Sequence, residues 1–230
     1  MAASDLSDDP GRGSAPAPET PPRTSRITIA TVAACILLVA VLGWLVRHDG
    51  ALPRWDARVV ADLADGRSDA TVDLARAITL LGDFRVLLAG TLVLAVVAMT
   101  VRGRTAVVWA LPAVSLIVAG ALNPLLKAIV DRPRPPEVLH RVAESSPGFP
   151  SGHAAQSASA WLCLGLVLWA SRRSGIAVAA CVVVTTLVGV SRVVLAVHSP
   201  TDVVAGWAVG LAVALVVLAL ASSRPGRRPA

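Results

Sequence analysis

Lys127-Ala-Ile-Val-Asp-Arg-Pro-Arg134-Pro135, then Pro150-Ser151-Gly152-His153, then Ser191-Arg192 with His198 and Asp202, form three polar islands among long apolar runs. The runs cover residues 27–46, 86–101, 106–126, 154–170, 175–197 and 203–221. A helix rises 1.5 Å per residue, so about 20 residues cross the hydrocarbon core of a bilayer and about 17 to 25 are tolerated. Five runs have that reach; 86–101 is short and borrows Phe84 and its neighbours. The fold expected is all-α: a six-span transmembrane helical bundle, with both termini on one side.

Composition agrees with this. Of 230 residues, 55% are hydrophobic and 16% charged, and the mean hydropathy is +0.68. Soluble domains carry about 25% charged residues. The net charge of +6 does not mark a nucleic-acid partner, because the basic residues lie in short connections with no basic helix or aromatic platform. They read as an orientation signal. Arg23 and Arg26, Arg102 and Arg104, Arg172 and Arg173, and Arg224, Arg227 and Arg228 fall on one face, which the positive-inside rule makes cytoplasmic. On the other face, the arginines of the long connection at 47–83 are balanced by Asp49, Asp56, Asp62, Asp65, Asp69, Asp73 and Asp83. The three islands then face outward from a multi-pass protein of the plasma membrane.

The domain boundaries follow. Residues 1–26, rich in Pro, Ser, Ala, Gly and Asp, cannot bury enough surface to order and are expected to be a disordered cytoplasmic tail. Residues 27–222 form the membrane domain, its first run a signal anchor, and 223–230 a basic cytoplasmic tail. Cys35, Cys163 and Cys181 lie inside apolar runs without metal-binding spacing and read as small buried hydrophobes. In the 47–83 connection, Trp55, Val59, Val60 and Leu63, then Val72, Leu74, Ala75, Ile78 and Leu81, predict two short amphipathic helices broken near Gly66. These either lie in the interface beside the islands or serve packing alone.

Each island carries recognisable chemistry. Lys127 is the only lysine in the chain, a compact ammonium among arginines. Arg134 sits in a proline-stiffened arm, Arg132-Pro133-Arg134-Pro135-Pro136, so it can be held rather than swing. A lysine and a rigid arginine suit an oxyanion. Ser151 is a natural N-cap, Gly152 allows close backbone approach, and His153 falls in the first turn of the helix they start, where free N–H groups favour an anion. Ser199-Pro200-Thr201-Asp202 is a second helix start. Asp202 either caps that helix or reaches back to His198 and orients its ring, as carboxylates do in nucleophilic catalysis.

Together the islands satisfy K-x6-R-P, P-S-G-H and S-R-x5-H-x3-D at every fixed position. In this the chain resembles the type 2 phosphatidic acid phosphatases, a family that shares its site with bacterial acid phosphatases and vanadium haloperoxidases. The resemblance implies that His198 attacks phosphorus with Asp202 orienting it, and that His153 protonates the leaving oxygen and then activates water. Lys127, Arg134 and Arg192, with Ser151 and the Gly152 backbone, would hold the phosphoryl oxygens. No metal or other cofactor is implied. The expected partner is a membrane lipid phosphate in the bilayer: a polyprenyl diphosphate, phosphatidic acid or phosphatidylglycerol phosphate, with recycling of a polyprenyl carrier the favoured task. The competing readings are a catalytically inactive transporter or scaffold and, more remotely, a vanadate-dependent haloperoxidase. Nothing in the sequence speaks to oligomeric state.

Overall fold

In a computed structural model, residues 23–48, 50–170 and 175–222 are described, and all regular structure among them is helical. The helices are α1 (Arg23–Val46), α2 (Ala51–Gly66), α3 (Asp69–Thr79), α4 (Phe84–Arg102), α5 (Leu111–Val130), α6 (Gly152–Ser157), α7 (Cys163–Ala170), α8 (Gly175–Val194) and α9 (Pro200–Ser222). The tail at 1–22, the Arg172–Arg173 connection and the basic tail at 223–230 lie outside the described residues, as do the side chains of Arg102 and Arg104.

Among the described residues, five helices are long and apolar enough to cross a membrane: Arg26–Val46, Phe84–Val101, Val107–Val130, Gly175–Val194 and Pro200–Ser222. The run at 154–170 is not among them. It forms a helix in three pieces, α6, a π-helical turn over Ala158–Leu162, and α7. Its first turns are polar, with Gln156, Ser157 and Ser159. Ser157 Oγ donates to Ala154 O and Ser159 Oγ to Gln156 O, side-chain bonds that compete with the helical ladder next to the π turn.

Large apolar side chains point outward from the long helices, among them Ile36 and Trp44 on α1, Val93 and Val96 on α4, and Ile129 on α5. An outer surface of this kind suits hydrocarbon. Inside, association rests on small residues, because lipid tails offer helices no hydrophobic incentive to meet. Helix α9 is central: half of its most apolar window is buried, against 17% for α1. Its Gly206 and Gly210, one turn apart, lie directly on α6 and the π turn. A Cβ on Gly206 would stand 2.7 Å from Ser151 O, and one on Gly210 would stand 2.4 Å from Ala155 O. Gly189 of α8 leaves the same kind of room for Trp207. The spacing of Gly206 and Gly210 is a small-xxx-small pattern, which lets helices approach closely.

The chain runs up and down, so the C-terminal ends of α5 and α8 meet the N-terminal ends of α6 and α9. Helices α2 and α3 cover this end, broken at Gly66 as expected and capped at Ser68, whose Oγ accepts from Thr71 N. All three islands therefore converge on one end of the bundle.

Candidate active site

The site is assembled at four helix ends and two connections. α5 stops at Asp131, which takes a left-handed conformation (φ 46°) and donates its N–H to Lys127 O. The prolines beyond it prevent continuation. α8 stops similarly: Ala196 has φ 57°, and Val197 N–H reaches Arg192 O. That reversal delivers His198 immediately ahead of α9. Ser151 caps α6 as expected, its Oγ accepting from Ala154 N. The Gly152 position is needed for close approach, to Asn123: an added Cβ would sit 2.9 Å from Asn123 Nδ2.

His198 is almost fully buried, and its two ring nitrogens face opposite partners. Nε2 lies 3.1 Å from Arg134 Nη1. A guanidinium can only donate, so Nε2 must be unprotonated there and the ring proton sits on Nδ1. Nδ1 points at Asp202 Oδ2, 3.6 Å away, which is outside hydrogen-bond range, and it has no other partner. Burial pushes the His198 pKa down to about 4, although Asp202 pulls it upward. Burial, then Arg192, likewise lowers His153 to about 3. Both imidazoles are therefore neutral at pH 7.

Arg134 and Arg192 converge on a single anion, Glu144. Arg134 Nη2 is 3.2 Å from Glu144 Oε2, and Arg192 Nη2 donates to Oε1. Burial pushes the Glu144 carboxyl upward, but Arg192 and Arg134 outweigh it and hold the pKa below the ordinary carboxylate range. Ser146 joins the cluster, receiving Lys127 Nζ at 3.1 Å and Arg134 Nη2 at 3.2 Å on its hydroxyl. Lys127 Nζ also donates to Pro147 O, and Arg134 Nη1 donates to Val197 O at 2.6 Å. The arm is stiffened by hydrogen bonds as much as by its prolines.

Asp202 caps its helix and lies beside His198 without hydrogen-bonding to it. Its Oδ2 accepts from Ser199 N at 2.8 Å, capping α9, while the same oxygen faces His198. Its Oδ1 takes Arg132 Nη1 at 2.5 Å. Arg132 also holds Asp56 of α2, Nη2 to Oδ2 at 2.7 Å. From α3, Thr79 Oγ1 accepts from Arg192 Nη1 at 2.9 Å. Arg67 donates to Val194 O and Leu139 O, and Arg76 to Arg141 O. The connection at 47–83 therefore supports the site directly as well as packing beside it.

Of the residues expected in the site, His198, Asp202, Arg134, Arg192 and Lys127 share this contact network, and His153 feels the charges of Arg192, Glu144 and His198. Ser151 is fully buried at the α6 cap, with its N–H on Asp202 O. Sequence reasoning missed Glu144, Arg132, Asp56, Thr79 and Ser146. Asp56 and Arg132 carried a signal, charges beside apolar residues, but their pairing spans more than seventy residues and no local pattern encodes it.

Comparison with known proteins identifies the family. The PAP2 superfamily matches residues 108–225, just over half of the chain. The chain is 31% identical over 142 residues to a decaprenylphosphoryl-5-phosphoribose phosphatase of Mycobacterium tuberculosis, covering 60% of this chain and 76% of that protein. It is 37% identical over 95 residues to phosphatidylglycerophosphatase B of Bacillus subtilis, covering 39% and 46%. The crystal structure of a transmembrane PAP2-type phosphatidylglycerolphosphate phosphatase from Bacillus subtilis superposes with a TM-score of 0.78 at 25% identity, over 86% of this chain and 99% of that one. A converged cluster of histidines and cations, a family match across the segment that builds it, and relatives named as phosphatases lead to one assignment: the chain belongs to the PAP2 superfamily and is a phosphoric monoester hydrolase.

Proposed function

We propose that the chain is an integral-membrane lipid phosphatase that spans the bilayer six times, with residues 154–170 as the fourth span, and hydrolyses a lipid phosphate at its outer face. The observation that carries this reading is His198: a neutral ring with its Nε2 lone pair directed at Arg134, which shares Glu144 with Arg192, and its Nδ1 turned to a buried carboxylate.

In the first step Nε2 attacks phosphorus, a P–N bond forms, the P–O bond to the lipid breaks, and His153 gives a proton to the leaving oxygen. His153 is neutral in the ligand-free site, so it must gain that proton with the substrate; burial and then Arg192 lower its pKa, and a phosphate dianion beside Arg192 opposes the second of these. In the second step His153 takes a proton from water, the water oxygen attacks phosphorus, and the P–N bond breaks to release inorganic phosphate. Lys127, Arg134 and Arg192 stabilise the phosphoryl charge throughout, with Ser151 and the Gly152 backbone at the adjoining helix start. Phosphoryl transfer asks for little beyond positioning and such charge.

The substrate class is a phosphate monoester or diphosphate whose tail stays in the membrane. The named relatives act on a decaprenyl-linked phosphate and on phosphatidylglycerophosphate. An outward site supports a polyprenyl carrier first. The test is phosphate release by detergent-purified protein, in EDTA, from polyprenyl diphosphate, phosphatidic acid and phosphatidylglycerol phosphate side by side. Release from at least one is expected; folded protein inert on all three would sink the reading.

Orientation is tested separately. Glu137 is exposed in the connection between α5 and α6, at the same end as the site. A Glu137→Cys substitution should be labelled by a membrane-impermeant thiol reagent on intact cells. Labelling only after lysis would invert the proposed topology.

Glu144 supplies a further expectation. Its carboxylate holds two of the cations that the phosphate needs, so substrate must displace it. Glu144→Gln removes the competing charge and should lower KM for a lipid phosphate by roughly three- to tenfold, the equivalent of about 1 kcal/mol. An unchanged or raised KM would show that the carboxylate does not compete.

A further inference from the structure

Asp56 has no place in the chemistry described so far, yet it is one of the most deeply buried charges in the molecule. Its side chain is fully enclosed, although it sits on α2 in a connection otherwise rich in exposed aspartates such as Asp62 and Asp65. Burying an ionised carboxylate is expensive unless it is paired and hydrogen-bonded. Asp56 is both. Oδ2 takes Arg132 Nη2 at 2.7 Å and the Thr201 hydroxyl, and Oδ1 takes the Thr201 N–H at 3.1 Å. Arg132 in turn places Nη1 on Thr201 Oγ1 at 2.8 Å and on Asp202 Oδ1 at 2.5 Å.

Two consequences follow from these contacts. First, Thr201 and Asp202 are consecutive residues in the first turn of α9, so Asp56 grips the backbone beside the carboxylate that faces His198. Second, one guanidinium is shared between two carboxylates. With Asp202 as its only partner, Arg132 would cancel most of the charge that Asp202 presents to His198. With Asp56 drawing on the other nitrogen, the trio keeps a net negative charge next to the ring that must become positive during transfer.

We propose that Asp56 is a positioning residue of the reaction, which through Arg132 and Thr201 fixes the Asp202 carboxylate against His198 and preserves its charge there. This rests on the phosphohistidine reading given above. The outer helix α2 would then be part of the catalytic apparatus, acting through α9 and never touching substrate.

The role predicts a particular kinetic signature. Asp56→Asn keeps the shape and removes the charge, so kcat should fall by about 10- to 100-fold, a range taken by analogy from residues that orient metal-bound histidines. KM should stay within about twofold, because Lys127, Arg134 and Arg192 are untouched. Asp62→Asn, exposed on the same helix, should leave both constants unchanged. Folded Asp56→Asn enzyme with kcat within about twofold of the unaltered protein, or with the loss carried by KM, would overturn the proposal. Should that variant not fold, Thr201→Val decides, since it removes the hydroxyl with its bonds to Asp56 and Arg132 and removes no charge. A several-fold lower kcat at unchanged KM supports the role, and an unchanged kcat overturns it. An unaltered protein and Asp62→Asn variant that both release no phosphate from any lipid phosphate would instead overturn the underlying reaction, and this inference with it.

Discussion

His198→Ala is expected to abolish turnover, with kcat reduced by at least about 10⁴-fold while folded protein is still recovered. The reasoning is local. Nε2 offers a lone pair toward Arg134, which the guanidinium and ammonium groups around it cannot do. Burial keeps the ring neutral, its pKa pushed down to about 4, so the lone pair is available at neutral pH without a general base. Its contacts are few: Nε2 meets Arg134 and Nδ1 is without a hydrogen bond, so truncation to alanine leaves no chain of broken bonds behind it. Measuring phosphate release alongside thermal melting separates the two effects. A variant that retains more than about a hundredth of the original rate would remove His198 from the nucleophile's role.

Gly210→Val is expected to have the largest effect on the fold. The added Cβ would stand 2.4 Å from Ala155 O, 2.5 Å from Ala158 Cβ and 2.7 Å from Ser159 N. Two of these are backbone atoms, which cannot rotate aside as a flexible side chain can. Relief would need α9 to part from α6 and the π turn, and that seam carries His153 on one side and Asp202 on the other. Overpacking a core typically costs about 1 to 3 kcal/mol, and backbone contacts this short belong at or above the top of that range. Loss of folded, monodisperse protein in detergent is expected. Gly90→Val, on α4, is the matched control, because nothing lies within 4 Å of its Cβ. Equal recovery of the two variants would contradict the packing role given to the small residues of α9.

The parts of this molecule legible in its sequence are those governed by local rules. The apolar runs gave five of the long helices, the broken amphipathic pattern gave α2 and α3, and Ser151 and Ser199-Pro200 marked two helix starts. One run departed: 154–170 carries Gln156, Ser157 and Ser159 in its opening turns and became a helix with a π turn. The spacing of the three islands identified the ends that meet, because alternating spans must return to the same side. The supporting residues were another matter. Asp56 and Arg132, Thr79 and Arg192, and Glu144 and Arg192 are pairs brought together by tertiary packing, and long-range ion pairs leave no periodicity to read. Glu144 was the hardest to anticipate. It lies nine residues before His153 in a connection without helical or strand pattern, and only the convergence of Arg134 and Arg192 gives it meaning.

On the proposed reading, a phosphate held by Lys127, Arg134 and Arg192 meets His198 Nε2. That makes a covalent phosphoryl–imidazole intermediate the central claim. The most direct test is to mix the enzyme with a lipid phosphate labelled at phosphorus, quench in denaturant at alkaline pH, and map the labelled peptide. Label stable to base, labile to acid and confined to the peptide containing His198 is the predicted result. Steady turnover with no trapped label under rapid quench, or label on any other residue, would contradict it.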